Sequence, residues 1–277
     1  MLGIIKSLTT KMKTKFNVNV YQVQKQDPIS ALHTNVLNYA LFPNDNAVTS
    51  SIIQGWQYEP YLFKFLKSNL IETYGKDIVD IGANNGNFAV EFSHLVGDNG
   101  KVHSFEPQRI IYYQLCGNVF MNGLDNVYCH NVAIGDKNDI VSMEEPNYFS
   151  NEAVNFGDVR IKKPSDNNLM VNLKRLDDYD FKDIVFIKID VQGYESFVID
   201  GALATIEKHR PYIFVEFEDH LLKDNGSSEA MLKEKIESLG YYVKRFQEGI
   251  PYQTESGMCL DCVCIPNEKE PLNHIIP

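Results

Sequence analysis

The chain has 277 residues, of which 44% are hydrophobic and 23% charged, so it can bury one sizeable core with or without a small appendage. Its formal net charge of −11 argues against a DNA or RNA substrate, because phosphates would be repelled. No apolar run approaches the roughly 20 residues that cross a bilayer, so we expect no membrane span.

The first 16 residues, MLGIIKSLTTKMKTKF, carry four lysines and no acid. Their apolar stretch is too short for a secretory leader, and they lack the arginines of a transit peptide. We expect a basic, weakly amphipathic tail on a cytoplasmic protein, with a surface or partner anchor as the alternative. Residues 20–76 then predict polar loops and a helix near 61–70, which would form a cap on one side of a sheet.

Residues 77–107 predict a strand, a glycine turn, a helix and a second strand that ends on an acid. The first strand breaks at Gly82, and the helix from Gly86 has an apolar face at helical spacing. That face consists of Phe88, Phe92, Leu95 and Val96. The acid is Glu106, at the position where doubly wound sheets hydrogen-bond the ribose of a nucleoside. The segment therefore predicts a nucleoside cofactor, with a purely structural turn as the alternative.

The turn reads GANNG from Gly82 to Gly86. A pyrophosphate-binding turn needs G-x-G-x-x-G, whereas Asn84 stands at the second glycine and would crowd a pyrophosphate. A nicotinamide-dependent oxidoreductase is therefore the less favoured alternative, since S-adenosylmethionine has no phosphate. Asp80 and the amides of Asn84 or Asn85 suit its amino acid end, although Asp80 could instead cap the turn.

The rest of the chain alternates strands and helices before a closing pair of strands. We expect a helix at 111–119, strands at 127–134, 184–191 and 212–217, a helix after Ser227 or Ser228, and a hairpin of strands at 241–246 and 258–265. Residues 136–170 are polar and predict a long functional or mobile loop. This order predicts an α/β, doubly wound sheet whose ligand lies near the switch point between the first and fourth strands.

The five cysteines, an odd number, indicate no disulfide framework. Cys259, Cys262 and Cys264, followed by His274, have a spacing that could ligate zinc. The same segment also predicts a strand that sends Cys262 and Cys264 to one face, and no second C-x-x-C completes a site. We favour core packing and predict no metal site.

Several motifs, in order and spacing, resemble the FkbM family of S-adenosylmethionine-dependent methyltransferases over roughly residues 55–265. They are GWQYEP, DIVDIGANNGNF, VHSFEP, GNVFMNGLDNV, NVAIGD, LKRLDDY, KIDVQGYESFVIDGA and RPYIFVEFE. The resemblance implies a Rossmann-like class I methyltransferase fold with seven strands, the last antiparallel. It also implies O-methylation of a hydroxyl on a small molecule or a sugar or glycan. We expect a tail and cap over 1–75 and the methyltransferase domain over 76–277.

The resemblance also implies which residues hold the cofactor. Glu106 would chelate the ribose hydroxyls, and Glu59 would reach the methionine amino group. The full set is Glu59, Asp80, Gly82, Asn84, Asn85, Gly86, Glu106, Pro107, Ala133, Asp136 and Asp190. For Glu59 and Asp136 the alternative is a solvated surface acid.

Two groups are candidates for catalysis. Asp190 and Lys188 end the fourth strand, and such charges in an apolar strand are costly unless paired or used. We expect Asp190 to orient or deprotonate the acceptor, with a structural ion pair that could include Glu195 as the alternative. Glu216 and His220 follow the fifth strand as a second group, although His220 could simply lie at the surface.

Many relatives read KIDVEG where this chain reads KIDVQG, so Gln192 supplies a neutral amide that binds a hard cation poorly. A metal-assisted mechanism at that position is not expected. The acceptor pocket should be built from the cap and residues 137–170. A further alternative is a binding module that kept the fold and lost turnover.

Overall fold

The computed structural model describes residues 19–21, 30–33, 38–42, 44–53, 58–68, 72–150, 152–162, 168–245 and 261–269. Three short antiparallel strands come first, β1 (Asn19–Tyr21), β2 (Ser30–His33) and β3 (Asn38–Leu41). Helices α1 (Val48–Ile53) and α2 (Pro60–Ser68) follow. The helix predicted near 61–70 is confirmed to residue 68, whereas the three strands replace expected loops. The lysine-rich start lies outside the described residues.

The remaining elements alternate between strands and helices, as predicted, except for the run of strands from β6 to β11. In chain order they are β4 (Asp77–Ile81), α3 (Asn87–Val96), β5 (Lys101–Phe105), α4 (Arg109–Met121), β6 (Val127–His130), β7 (Ala133–Ile134), β8 (Asp139–Glu144), β9 (Ile161–Lys162), β10 (Asn168–Lys174), β11 (Ile184–Ile189), α5 (Glu195–Asp200), α6 (Leu203–His209), β12 (Tyr212–Glu216), α7 (Asp219–Asp224), α8 (Glu229–Ser238), β13 (Tyr241–Arg245) and β14 (Asp261–Pro266). A short 3₁₀ turn spans Leu176–Asp178.

The central sheet has seven strands in the order β13-β14-β12-β11-β4-β5-β6. Strands β11, β4, β5, β6 and β12 are parallel, and β14 runs antiparallel to both of its neighbours. This arrangement confirms the predicted fold class. Strands β4 and β11 are adjacent, so the chain reverses its winding direction between them, where a ligand cleft is expected.

The core has one large cluster on each face of this sheet. On one face, α2 and α3 pack Phe63, Phe88 and Phe92 against Phe186 of β11. On the other face, α5, α6 and α8 cover the sheet through Val198, Ile199, Ile206, Leu232 and Ile236. Cys262 and Cys264 are buried on this second face as free thiols, which confirms the predicted core strand, whereas Cys259 and His274 lie outside the described residues.

Two predictions about the middle of the chain were wrong. The single strand expected at 127–134 is two strands, because β6 joins the central sheet and β7 pairs with β10. Residues 136–170, expected as a loop, contain β8 and β9 and the start of β10, which form a four-stranded sheet with β7. Only part of this small sheet's surface is buried, so its polar strands resemble loop sequence.

Candidate active site

The turn after β4 is shaped by a close approach to the strand beside it. Gly82 has φ of 82°, and a Cβ atom on it would lie 1.8 Å from the Asp190 carbonyl oxygen. Only glycine fits this position. The amide nitrogens of Gly82 and Ala83 both donate to Phe105 O at 3.0 Å, so the turn is tied to the end of β5. The ends of β4, β5 and β11 are thereby held together.

Glu106 is 3% exposed, and backbone amides hold both of its carboxylate oxygens. Asn84 N donates to Oε2 at 2.9 Å, and Gln108 N donates to Oε1 at 2.8 Å. Burial raises the pKa of Glu106 to about 7, against the lowering effect of these two hydrogen bonds. Because each carboxylate oxygen has two acceptor sites, both oxygens can still accept from a ligand hydroxyl.

An open cleft, with about 620 Å³ of empty space that includes solvent at its mouth, lies beside Glu106. Its lining includes Gly82, Asn84 and Glu106 and a larger apolar part. That apolar part consists of Phe105, Pro107, Val132, Ala133, Ile134, Met143, Val159, Ile161 and Tyr194. A flat, largely apolar ring system could lie there with a ribose against Glu106.

A second cavity of about 470 Å³ continues from the first. The two cavities share Gly82, Asn84, Gly157, Asp190 and Gln192 as lining residues. The cap contributes Ala47, Val48 and Tyr58 to the second cavity, and the region after β8 contributes Asn155 and Gly157. The cavity therefore combines residues of the cap with residues of the 137–170 region.

Two buried amides in the second cavity lack partners for their nitrogen atoms. Asn85 and Asn87 are 1% and 6% exposed, and among the described residues nothing accepts from either Nδ2. Asn85 Oδ1 accepts from Asn87 N at 3.1 Å, which fixes the Asn85 side chain at the start of α3. Both side chains thus present unused donors to the cavity.

A buried lysine lies between acids on neighbouring strands. Lys188 is 1% exposed, stands opposite Asp80 in the β11–β4 register, and its Nζ lies 3.0 Å from Asp190 Oδ2. Burial alone would lower the pKa of Lys188, but the charges of Asp190, Asp80 and Glu59 outweigh it and raise the pKa. Lys188 therefore stays protonated, and the ion pair with Asp190 that was the structural alternative is present, without Glu195.

Asp80 is fully buried, and its two oxygens have no hydrogen-bond donor among the described residues. Burial raises its pKa to about 6, while Lys188 opposes that change. Asp80 thus lies beneath the turn without making a cap hydrogen bond to it.

Gln192 and Glu195 organise the turn that follows β11. Gln192 Nε2 donates to Asp190 Oδ1 and to Glu216 Oε2, both at 3.0 Å. Glu195 Oε1 accepts from Val191 N at 3.2 Å and Gly193 N at 3.1 Å. Glu195 therefore pins the backbone of the turn, and Gln192 joins two acids.

Glu59 lies just before α2, with φ of 46°. The residue is half-buried, and its Oε2 is buried with no partner among the described residues. Burial, together with the negative charge of Asp261, raises its pKa well above the usual range, although Lys188 opposes the shift. The unpartnered oxygen can accept a hydrogen bond from a ligand group.

The predicted residues divide into those brought together and those left apart. Gly82, Asn84, Glu106, Pro107, Ala133 and Asp190 line the first cleft, and Asn85 and Lys188 line the second cavity. Gly86, with φ of 83°, begins α3 behind the turn. Glu216 reaches the cavities through Gln192. Asp136 does not line either cavity, and its Oδ1 is buried without a donor among the described residues.

His220 is not brought into this group. Its side chain is 66% exposed on α7, and Nδ1 lies 3.3 Å from Glu218 Oε1. His220 therefore lies at the surface, which was the alternative stated from the sequence.

Sequence reasoning missed Gln108 and the segment that it holds. Gln108 Nε2 donates to Phe156 O at 2.9 Å, and Tyr148 Oη donates to Gln108 Oε1 at 3.2 Å. The backbone amide of Gln108 holds Glu106, and its side chain anchors the segment that contains Gly157, which lines the cleft. A glutamine two residues after Glu106 was the available signal.

In the described part of the chain, no group of three or more His, Cys, Asp or Glu side chains could hold a metal ion. Within the same residues, none of the helices is long and apolar enough to cross a membrane.

Comparisons with known proteins give the following similarities. Methyltransferase FkbM from Methylobacillus flagellatus KT has 18% sequence identity and a TM-score of 0.47, over 74% of this chain and 47% of that one. Fibrillarin from Aeropyrum pernix, with bound S-adenosyl-L-methionine, has 12% identity and a TM-score of 0.45, over 90% of this chain and 99% of that one. An S-adenosylmethionine-dependent O-methyltransferase from Thermotoga maritima has 12% identity and a TM-score of 0.44, over 84% of this chain and 76% of that one. The chain thus spans about half the length of the Methylobacillus protein. No curated protein sequence matches the chain.

A family model, the methyltransferase FkbM domain, matches residues 80–243, which is more than half of the chain. The matched region starts at Asp80 and contains Glu106, Asp190 and Gln192. The chain belongs to the FkbM family of S-adenosylmethionine-dependent methyltransferases.

Proposed function

We propose that this chain transfers the methyl group of S-adenosylmethionine to a hydroxyl oxygen of a small molecule or of a sugar or glycan. The observation that carries the proposal is the placement of Glu106 and Asp190 around one continuous space. Glu106 is held by two backbone amides at the first cleft, and Asp190 lies where the two cavities meet. Glu106 suits the cofactor, and Asp190 suits the hydroxyl of the acceptor.

The residues present fit the cofactor. Glu106 keeps acceptor capacity for two ribose hydroxyls, and the apolar side of the first cleft suits adenine. The unused Nδ2 donors of Asn85 and Asn87 suit a carboxylate, and the unpartnered Glu59 Oε2 suits an ammonium group. Buried polar atoms without partners are uncommon, so a ligand that satisfies them supports this assignment.

The chemistry supplied by the bound cofactor is an electrophilic methyl group on a positively charged sulfur. Asp190 would accept a hydrogen bond from the acceptor hydroxyl and align its oxygen for in-line attack. Lys188 and Gln192 each donate to one Asp190 oxygen at 3.0 Å, so that carboxylate has a fixed orientation. Gly157 and Tyr58 line the second cavity and limit water around the reacting atoms.

The cofactor half of the proposal is tested by thermal unfolding with S-adenosylhomocysteine or NADH. We expect only S-adenosylhomocysteine to raise the melting temperature, because ligands that bind the folded state stabilise it. Glu106→Ala removes two charged hydrogen-bond acceptors and should weaken binding about 100-fold or more. Glu234→Ala, exposed on α8, is the matched control and should bind normally. Stabilisation by NADH alone would contradict the proposal and favour an oxidoreductase.

The catalytic half is tested with Asp190→Ala. This variant should keep most of the shift with S-adenosylhomocysteine and lose methyl transfer to hydroxyl acceptors. Normal turnover by Asp190→Ala would show that the role assigned to Asp190 is wrong. Cofactor binding by the wild-type chain without a methylated product from any acceptor would favour a non-catalytic binding module.

A further inference from the structure

Gln192 occupies a backbone position that few side chains adopt easily. Its φ is 55°, in the left-handed region, and Gly193 follows with φ of 96°. A Cβ on Gly193 would lie 2.5 Å from Leu221 O, so the turn packs closely against α7. Glu195 holds the same turn through the amide nitrogens of Val191 and Gly193. A non-glycine residue kept in a strained conformation by its surroundings often marks a functional position.

The Gln192 side chain uses both hydrogens of its amide on carboxylates. Nε2 lies 3.0 Å from Asp190 Oδ1 and 3.0 Å from Glu216 Oε2. Because both neighbours are carboxyl groups, the nitrogen is assigned to the side of the amide that faces them. Gln192 and Asp190 also line both cavities. The amide is therefore a neutral bridge between two acids at the junction of the cavities.

The surroundings of this bridge are strongly acidic. Glu216 is subject to burial and to the charge of Asp190, both of which raise its pKa well above the usual range. A third acid in place of Gln192 would have to share protons with its neighbours. The charged groups that face the two acids are Lys188 on β11, Asp80 on β4, Glu59 before α2, Glu195 on α5, Glu218 before α7 and Asp261 on β14.

We propose that Gln192 is a positioning residue for the transfer, which orients the Asp190 carboxylate at the junction of the two cavities and couples its charge to Glu216. This inference rests on the proposed function, because orientation of Asp190 matters only if Asp190 meets the acceptor. Lys188 holds one oxygen of Asp190, and Gln192 holds the other. Loss of the amide leaves the carboxylate free to rotate and leaves Glu216 without its donor.

The test compares Gln192→Glu, Gln192→Met and Gln192→Glu/Glu216→Gln by melting temperature from pH 5 to 9, without cofactor. In Gln192→Glu, three acids meet, so the protein should melt lowest at high pH and recover as the pH falls. Its pH of maximum stability should move down by about one unit or more. The double variant restores an amide donor and should recover at least half of the loss at pH 8. If the melting temperatures of Gln192→Glu and Gln192→Met change with pH in the same way, the coupling of this position to Glu216 is overturned.

Double-mutant analysis covers the case in which Gln192→Glu does not fold. The stability losses of Gln192→Met and Glu216→Met should not add in the combined variant, because each removes the same Gln192–Glu216 hydrogen bond. Additive losses would overturn the coupling as well.

With a hydroxyl acceptor, the acidic limb of the pH profile of kcat should move up by about one unit in Gln192→Glu. An unchanged profile would overturn the positioning role. The melting experiments need no turnover, so they can succeed even if methyl transfer to hydroxyls is never found. Conversely, failure of the inference leaves normal transfer by the wild-type chain intact.

Discussion

Glu106 should make the folded chain less stable as the pH rises from 5 to 8. Its pKa is raised from 4.5 to about 7 in the folded protein, chiefly by burial. The folded state therefore holds this proton more tightly than the unfolded state. The resulting stability is complete below the unfolded pKa and is lost as the pH rises through the folded value.

The magnitude follows from the two pKa values. A difference of about 2.5 units corresponds to about 3.4 kcal/mol at full ionisation, of which about 2.5 kcal/mol is lost between pH 5 and 8. Glu106→Gln cannot ionise, so it should lack this loss. The amide has one acceptor oxygen for the two backbone donors, Asn84 N and Gln108 N. One buried donor is then left unpaired, which costs about 1–3 kcal/mol.

The assay is urea unfolding of wild type and Glu106→Gln without cofactor at pH 5, 6, 7 and 8. At pH 5 the variant should be less stable by about 1–3 kcal/mol. By pH 8 the gap should shrink by about 2.5 kcal/mol, and it could reverse in sign. Other groups titrate in both proteins and cancel in the difference. A gap that stays constant within about 0.5 kcal/mol across this range would refute the reasoning.

Two further predictions concern the same strand ends. Lys188→Met should lower the free energy of unfolding by about 3 kcal/mol, because it leaves Asp190 and the buried Asp80 without their cation. In urea unfolding, the double variant Lys188→Met/Asp190→Asn should recover part of that loss. If Lys188→Met alone is as stable as wild type, the pairing of Lys188 with these acids is contradicted. Gly82→Ala places a Cβ 1.8 Å from the Asp190 carbonyl and should abolish stabilisation by S-adenosylhomocysteine. The control is Gly117→Ala on α4, where a Cβ meets open space, and it should stabilise the chain by about 0.5–1 kcal/mol in urea unfolding. Normal cofactor binding by Gly82→Ala would contradict the close packing of Gly82 against Asp190.

Much of the central fold could be predicted because its patterns are local. The helix face of Phe88 and Phe92 and the apolar run of β11 each mark one element without knowledge of its partners. Ser228 caps α8 by accepting from Met231 N at 3.2 Å, one of the two positions predicted from the sequence. The small sheet of β7 to β10 could not be predicted, because β7 and β9 have only two residues each and only the strand pairing identifies the sheet.

By itself, the sequence determined the strand, turn, helix and acid that end at Glu106, since turn chemistry and apolar spacing depend on neighbours along the chain. Only the tertiary structure decided which polar atoms of that segment already have a protein partner and which are available to a ligand. Backbone amides occupy part of the Glu106 carboxylate, Lys188 faces Asp80 across two strands, and Gln192 bridges two acids that are 26 positions apart in sequence. The contacts of Asn84 with Glu106, of Lys188 with Asp80 and of Gln192 with Glu216 join residues far apart along the chain, and burial shifts the pKa values of their charged groups. No sequence pattern encodes that burial directly, so the site's electrostatics became visible only once the strands were assembled.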